Sequence, residues 1–97
     1  MSFVVLPSFE VEEHQLDAFL AAARADAAAS VTTEAGCLQF DIAVDRTKQP
    51  ASVIFYEVYT DRAAFEHHLT TPHLAVFREC LHLCREGPVQ FFEREGT

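Results

Sequence analysis

Residues 34–42 read Glu-Ala-Gly-Cys-Leu-Gln-Phe-Asp-Ile, residues 55–61 read Phe-Tyr-Glu-Val-Tyr-Thr-Asp, and residues 68–73 read His-Leu-Thr-Thr-Pro-His. The first segment turns at Gly36 and continues as a strand in which apolar and polar side chains alternate. The second is a strand with large side chains on both faces. The third breaks a helical region at Thr71 and Pro72. The three segments predict two neighbouring strands followed by a pair of helices that carry imidazoles.

The elements before and around these segments follow from side-chain periodicity. Residues 3–9 predict a first strand, in which Pro7 removes a ladder donor and favours an edge position or a bulge. Residues 12–30 repeat apolar side chains at helical spacing. Strands are expected over residues 37–44 and 53–59. In the first of these, Leu38, Phe40, Ile42 and Val44 share one face; in the second, Val53, Phe55, Glu57 and Tyr59 lie opposite Ile54, Tyr56 and Val58.

Two helix caps define the next part of the chain. Asp61 is expected to cap a short helix that runs to Leu69, and Thr71 caps a second helix with Pro72 at its first position. This second helix is expected to end at the Gly-Pro pair at 87–88, before a last strand over residues 89–93. It would turn Leu74, Phe77, Leu81 and Cys84 inward. The element order predicts an α+β, ferredoxin-like split βαβ fold with an antiparallel sheet whose helices cover one face.

Length and composition predict a single domain over residues 1–97 that pairs with a second copy of itself. About 60 to 65% of the unfolded surface is removed from water when a chain of this size folds alone. Yet 49% of the residues are apolar and nine are Phe, which is more than one small core needs. A homodimer formed by the open sheet faces would bury the excess.

The charge balance argues against several partners. Fifteen acidic residues against seven basic ones give a formal net charge of −8, which repels nucleic acid and anionic membranes. No segment resembles a signal peptide or a transmembrane span, so we expect a cytoplasmic protein. Cys37, Cys80 and Cys84 are expected to be free thiols that fit a reducing compartment.

His67, His68 and His73 are the leading candidates for proton transfer, because imidazoles titrate near neutral pH. They flank the helix break, which bends the chain and turns their rings toward a common space. The functional interpretation makes His68 or His73 a general acid or base. In the alternative interpretation, one imidazole hydrogen-bonds the break and the others are solvated.

Glu57 and Tyr56 are the polar candidates within the strands. An ionised carboxylate between aromatic residues must find a donor or take up a proton. Glu57 is therefore either a base with a raised pKa or a structural partner of an Arg, a backbone amide or a Tyr. Tyr56 and Tyr59 offer phenols that would hold a substrate oxygen or stack on a ring, and core packing is their alternative role. Tyr56 is the one chosen for the predicted site.

The sequence predicts no metal and no bound cofactor. His67, His73, His82, Cys80 and Cys84 supply nitrogen and sulfur, but the short zinc signatures are missing. Three glycines in the whole chain leave little room for a phosphate-binding loop. Flavin and nucleotide cofactors therefore receive no support.

In residues 34–42, 55–61 and 68–73 the chain resembles the antibiotic biosynthesis monooxygenase family of small dimeric α+β barrel proteins, and the agreement runs over nearly the whole sequence. The resemblance implies a homodimer with one pocket per subunit between sheet and helices. Proteins of this kind include cofactor-free oxygenases of quinols or polyketide phenols, haem-degrading enzymes and a sugar-phosphate isomerase of quorum-signal breakdown.

Two departures separate these branches. The haem-degrading relatives use Trp and Asn, which this chain lacks. The isomerase branch is similar around residues 68–73 but has a lysine at the position of Leu69, and a phosphorylated substrate calls for cations that are not clustered here. An uncharged aromatic or dicarbonyl ligand is therefore favoured over a phosphorylated one.

The leading hypothesis is a cofactor-independent monooxygenase of a small phenolic or quinol-type substrate. His68 or His73 would be the base and Tyr56 would hold the oxyanion, while Phe40, Phe65 and Glu57 complete the predicted binding site. The alternatives are a proton-transfer isomerase of a hydroxy-dione, which uses the same base without oxygen, and a non-catalytic dimer that binds a small molecule.

Overall fold

The computed structural model describes residues 2–96. The elements in chain order are β1 (Phe3–Val11), α1 (Glu13–Thr33), β2 (Cys37–Asp45), β3 (Ala51–Tyr59), α2 (Arg62–His68), α3 (Pro72–Arg78), a single 3₁₀ turn (Leu81–Leu83) and β4 (Arg85–Glu93). The sheet order is β2-β3-β1-β4 and all three pairings are antiparallel. This is the ferredoxin-like α+β arrangement that the sequence predicts.

The core lies between the sheet and its helices, because alternate strand residues and one stripe of α1 are apolar. Val53, Phe55 and Tyr59 of β3 are almost fully buried, as are Phe19 and Ala23 of α1. Four phenylalanines meet at the centre of this layer, where ring-centroid distances run from 4.8 to 6.4 Å: Phe9, Phe19, Phe55 and Phe77. The sheet face that carries Phe55 and Glu57 is therefore the helix-facing side.

Pro7 lies in a central strand, and its expected edge position is wrong. β1 pairs with β3 on one side and with β4 on the other, and the register shifts between Pro7 and Phe9 on the β4 side. The expected bulge is therefore confirmed, because a bulge lets a sheet accommodate a residue that has no N–H donor.

A second register shift, between Cys37 and Gln39, corrects the prediction for Leu38. The shift breaks the alternation at that point, so Leu38 leaves the buried face and is 53% exposed. Phe40, Ile42 and Val44, which follow the shift, pack on the core as predicted.

The end of the second helix was predicted too late in the chain. α3 stops at Arg78, and β4 already begins at Arg85 and runs through Gly87 and Pro88. Pairing with β1 extends this strand, and the Ser8 hydroxyl donates a 2.7 Å hydrogen bond to the Pro88 carbonyl. Cys80 and Cys84 consequently lie outside α3, although both are free thiols as expected. None of the helices in residues 2–96 is long and apolar enough to cross a membrane.

Candidate functional site

Glu34 directly follows the last residue of α1, and backbone hydrogen bonds on both sides hold it in place. Its N–H donates to the Ser30 carbonyl at 3.0 Å, and its own carbonyl accepts from the Cys37 N–H at 3.0 Å. Gly36 makes this turn compatible with α2, because a Cβ there would lie 2.5 Å from the Ala64 Cβ. The start of β2 therefore packs directly on α2, and Glu34 is only 5% exposed.

The helix break places two imidazoles near that carboxylate. His68 is the last residue of α2 and is 3% exposed, and His73 is the second residue of α3. Between them, the Thr71 hydroxyl donates to the His68 carbonyl at 2.8 Å and accepts from the Leu74 N–H at 3.4 Å. The predicted Thr71 cap is confirmed, and so is the Asp61 cap of α2, which accepts from the Ala64 N–H at 2.8 Å.

Glu34, His68 and His73 form one hydrogen-bonded group, called here the imidazole–carboxylate trio. His68 Nδ1 lies 2.8 Å from Glu34 Oε2, and His73 Nε2 lies 2.5 Å from the same oxygen. The other oxygen, Oε1, is buried and has no hydrogen-bond partner among residues 2–96. Both imidazoles therefore act on a single oxygen atom of the carboxylate.

The two imidazoles of the trio keep Glu34 ionised. Burial alone would raise the pKa of this carboxyl, but the hydrogen bonds and charges of His68 and His73 outweigh burial and hold the pKa below its usual value. Asp26, on the buried side of α1, differs, because burial raises its pKa despite the opposing charges of the same two imidazoles. Glu34 is thus the carboxylate that the site keeps ionised.

A cavity of about 140 Å³ lies between the helix-facing side of the sheet and α2, α3 and the 3₁₀ turn. Its walls are mostly apolar, and three of its lining residues, Asp26, Glu57 and His68, are buried polar groups; the phenylalanines that line it are Phe9, Phe55, Phe65 and Phe77. Since Nδ1 of His68 is bonded to Glu34, Nε2 is the ring nitrogen left for a molecule in the cavity.

Glu57 contributes a second acid–base group to the same cavity. Its Oε1 accepts a 2.6 Å hydrogen bond from the Tyr59 hydroxyl, and the side chain is 3% exposed. Burial raises the pKa of Glu57 to about 8, against the smaller lowering effect of the Tyr59 hydrogen bond. Burial and the neighbouring Glu57 also raise the pKa of Tyr59. At neutral pH both groups are therefore uncharged, and a carboxylic acid lines the cavity.

The structure brings together most of the site residues expected from sequence. Phe65 and Glu57 line the cavity beside His68, and the Phe40 ring lies 6.1 Å from the His68 ring. His73 lies 5.8 Å from His68, measured between ring centroids, and meets it through Glu34 rather than at the cavity wall. His67 is exposed and takes no part in the trio.

Tyr56 lies away from these residues. It pairs with Asp41 on the sheet face turned away from the helices, because side chains alternate along β3 and Phe55 and Glu57 take the helix-facing positions. The phenol beside His68 is that of Tyr59, with 5.6 Å between the two ring centroids. The expectation that Tyr56 would hold an oxyanion next to the histidines is therefore corrected by strand parity.

One residue of the site was missed from sequence, because Glu34 was seen only as the first residue of a turn segment. Tyr59 was predicted together with Tyr56 as a phenol that would hold a substrate oxygen, and its ring is the one that lies beside His68. Glu34 lies two residues before Gly36, in the turn between a helix and a strand, where another part of the chain packs closely against the backbone. A polar residue at such a turn was the sequence signal that could have identified Glu34. Cys37 is buried, and burial with the nearby carboxylates raises its pKa to about 12, so its thiol stays protonated.

The trio is also the candidate site for a divalent cation. Within residues 2–96, it is the group whose imidazole and carboxylate ligand atoms all lie within 4.8 Å of one another. Ligand atoms around a tetrahedral zinc ion, each about 2.0 to 2.1 Å from the metal, lie about 3.3 Å apart. The two nitrogen–oxygen contacts of the trio are shorter, at 2.8 and 2.5 Å. They have the geometry of hydrogen bonds that converge on one oxygen.

Comparison with known proteins agrees with this architecture. A family model described as antibiotic biosynthesis monooxygenase matches residues 2–79. The protein SO0527 from Shewanella oneidensis is 27% identical, with a TM-score of 0.78 over 94% of this chain and 88% of that chain. MupZ from Pseudomonas fluorescens is 25% identical, with a TM-score of 0.79 over 93% and 69%. A structure named antibiotic biosynthesis monooxygenase is 23% identical and shares the fold, with a TM-score of 0.81 over 99% and 100%.

Proposed function

The chain belongs to the antibiotic biosynthesis monooxygenase family, and we propose that it is a cofactor-independent monooxygenase of a small phenolic or quinol-type substrate. Family membership supports an oxidoreductase of the monooxygenase kind. The choice of substrate class and of the reacting residues rests on the cavity and on the trio.

The observation that carries the proposal is the position of His68. Its Nδ1 is bonded to the buried carboxylate of Glu34 at 2.8 Å, and its ring lines the cavity. A carboxylate that accepts from Nδ1–H fixes the tautomer in which Nε2 carries a lone pair, and it stabilises the imidazolium that forms when Nε2 takes a proton. His68, rather than His73, is therefore the proposed base.

The size of the cavity supports a substrate with one ring. An apolar cavity of about 150 Å³ is known to hold benzene, and the volume here is about 140 Å³. Its apolar lining, which includes four phenylalanines, favours a flat, uncharged ring, and Arg78 is its only lining cation within residues 2–96. A phenol or quinol fits this combination of volume, walls and charge.

In the proposed reaction, His68 Nε2 takes the phenolic proton and leaves a phenolate whose ring carbon is electron-rich. That carbon bonds molecular oxygen, a peroxide forms on the substrate, and loss of water gives a quinone. One oxygen atom stays on the product and the other leaves in water, and the substrate supplies all the electrons. The neutral carboxylic acid of Glu57 would donate to the developing oxyanion, a role first assigned to Tyr56.

The test measures oxygen uptake with a panel of one-ring phenols and quinols. We expect uptake with at least one member, one water per oxygen consumed, and the same rate after dialysis against a chelator. If no member of the panel supports uptake, or if a metal restores activity lost on dialysis, the proposal of a cofactor-independent monooxygenase is wrong.

A proton-transfer isomerase is the second candidate, and the acid–base pair in the cavity favours it specifically. His68, which is bonded to the ionised Glu34, and Glu57, whose pKa is raised, line the same cavity, so a base and an acid could act on neighbouring atoms of a hydroxy-dione. Deuterium incorporation from solvent into a dicarbonyl, without oxygen uptake, would favour this reaction over the oxygenase.

We also propose that the protein is a homodimer that buries the sheet face turned away from the helices. Ile54 and Phe92 on that face are 42% and 50% exposed, and a partner subunit that covered them would remove their apolar surface from water. Burial of this face in a dimer leaves the cavity and the trio within each subunit.

A further inference from the structure

We propose that His73 is the proton-release group of the site: each time His68 accepts a proton from a bound phenol, His73 gives one to solvent, and Glu34 couples the two imidazoles. This inference rests on the proposed function, because it assumes that His68 is the base. It adds a role for His73 and Glu34 that acts through His68 and involves no contact with the substrate.

The first support is the shared oxygen. His68 Nδ1 and His73 Nε2 both contact Oε2 of Glu34, at 2.8 and 2.5 Å. Two imidazolium ions that share one oxygen repel each other, so their protonations belong to the pair rather than to either ring. Protonation of one ring therefore favours loss of a proton from the other.

The second support is the different exposure of the two rings. His68 is 3% exposed and lines the cavity, whereas the His73 side chain is 15% exposed and lines a second groove, with Ala22 and Val76, that shares Asp26 and Phe77 with the cavity. The nitrogen of His73 that is not bonded to Glu34 is Nδ1. A proton can therefore enter the trio at His68 and leave it at His73.

The third support is the cost of changing the charge of the trio. Glu34 is 5% exposed, and its Oε1 has no partner among residues 2–96, so the two imidazoles are the hydrogen-bond donors that compensate its charge. A net buried charge is expensive unless it is paired. Release of one proton for each proton accepted keeps the trio at constant charge during the reaction.

The protons balance without any change of redox state. In the starting state of the proposed exchange Glu34 is ionised, His68 carries a proton on Nδ1, and His73 carries protons on both nitrogens. The phenolic proton then bonds Nε2 of His68, and the Nδ1–H bond of His73 breaks to give that proton to water. The trio holds one negative and one positive charge before and after this exchange.

The other titratable groups near the trio take no part in this proton exchange. Asp26 lines both the cavity and the groove, and its charge, when present, favours imidazolium on either ring. The groups that face the trio from the sheet are Cys37, Glu57 and Tyr59, whose pKa values are all raised so that they stay neutral near neutral pH. Arg78 and Glu86 line the cavity from α3 and β4 and are exposed.

The experiment uses 4-nitrophenol as the probe, because absorbance distinguishes its phenolate from the neutral phenol. Binding is measured in weakly buffered solution with an indicator dye that counts released protons. The parent protein should form one bound phenolate and release about one proton per site. His73→Gln keeps an N–H for Glu34 but cannot titrate, so it should bind the phenol and release almost none. His67→Gln, at an exposed neighbour outside the trio, should behave like the parent.

Equal proton release by the parent and His73→Gln would overturn the proposal, as would a parent that forms phenolate and releases nothing. If the parent binds no phenolate at all, the assignment of His68 as a phenol base fails instead. The coupling is then decided by nitrogen NMR of the free protein. The ring-nitrogen signals of His68 should respond to pH differently in His73→Gln and in the parent, because a competing imidazolium is gone. An unchanged His68 titration would overturn the coupling without reference to any substrate.

Discussion

The two faces of the sheet distribute polarity in opposite ways. The helix-facing side buries Glu57 among phenylalanines, and the helices that cover it bring His68 and Glu34 into the same layer. The other face leaves Ile54 and Phe92 about half exposed to solvent. Burial of the polar groups costs free energy unless they are hydrogen-bonded, whereas the exposed apolar side chains leave surface that a partner could cover.

The difference separates two kinds of cost. Burial of polar groups on the helix-facing side lowers stability in return for groups with shifted ionisation, which proton-transfer chemistry requires. Exposure of apolar groups on the other face costs solvation energy that a partner subunit would recover. Substitutions on the two faces should therefore affect different properties, namely turnover on one and assembly on the other.

His68→Gln should have the largest effect. Loss of a general base lowers turnover by roughly 10² to 10⁴, and Gln can still donate to Glu34. Steady-state oxygen uptake on a substrate that the parent converts measures the change, while thermal unfolding checks that the fold is kept. His67→Gln is the matched control, because His67 is adjacent in sequence, exposed and outside the trio. Equal turnover in the parent and His68→Gln would remove the base from the proposed mechanism.

Phe55→Lys and Ile54→Lys compare the two faces directly, because these neighbours in β3 point to opposite sides. Phe55 is 2% exposed, so an unpaired charge there costs several kcal/mol and should prevent folding. Ile54 is 42% exposed, so its lysine variant should fold and sediment as a monomer. Circular dichroism and analytical ultracentrifugation distinguish these results. A parent that already sediments as a monomer would refute the dimer.

Glu57→Gln should change how stability depends on pH. The pKa of Glu57 is raised from 4.5 to about 8 in the folded protein, so the folded state retains a proton that the unfolded state loses. The parent therefore loses stability as pH rises from about 4.5 to about 8, by about 1.4 kcal/mol for each unit of pKa difference. Urea unfolding at about pH 5 and about pH 8 should show a smaller loss for Glu57→Gln. Glu66→Gln, at an exposed carboxylate of α2, should retain the slope of the parent.

Thr71→Ala should have the smallest effect on stability. Removal of a helix cap costs about 1 kcal/mol, and this hydroxyl also bonds the His68 carbonyl at the break between α2 and α3. We expect a small drop in melting temperature together with a measurable loss of turnover, since His68 becomes less well positioned. Thr70→Ala is the control, because the exposed Thr70 hydroxyl bonds only the His67 carbonyl. Equal turnover in the two variants would mean that the break does not position the base.

The sequence predicts the fold well because its signals are local. The caps at Asp61 and Thr71 need partners only three residues away, and both form as expected. The same locality explains the failures. Pro88 and Gly87 are usual helix-ending residues, but pairing with β1 incorporates them into β4, and the pairing energy of a distant strand is not encoded in a local window.

The site was predictable only in part for the same reason. His68 and His73 are close in sequence, so the helix break was enough to bring them together. Glu34 lies 34 and 39 residues from them, and no spacing rule connects a turn after α1 with two later helices. The choice of Tyr56 over Tyr59 depended on which strand face carries the chemistry, and that face was fixed by a carboxylate not recognised from sequence.

The long sequence separation of the trio also bears on how the protein folds. The capped helices α2 and α3 close short loops, whereas the contact between Glu34 and His68 closes a loop of 34 residues that contains β2 and β3. We therefore expect the helices to form before this contact, which would make the buried ring proton of His68 a marker of a late stage of folding. In a refolding experiment, protection of this proton should follow the appearance of helical structure, so the site gains its chemistry only when the chain is complete in three dimensions.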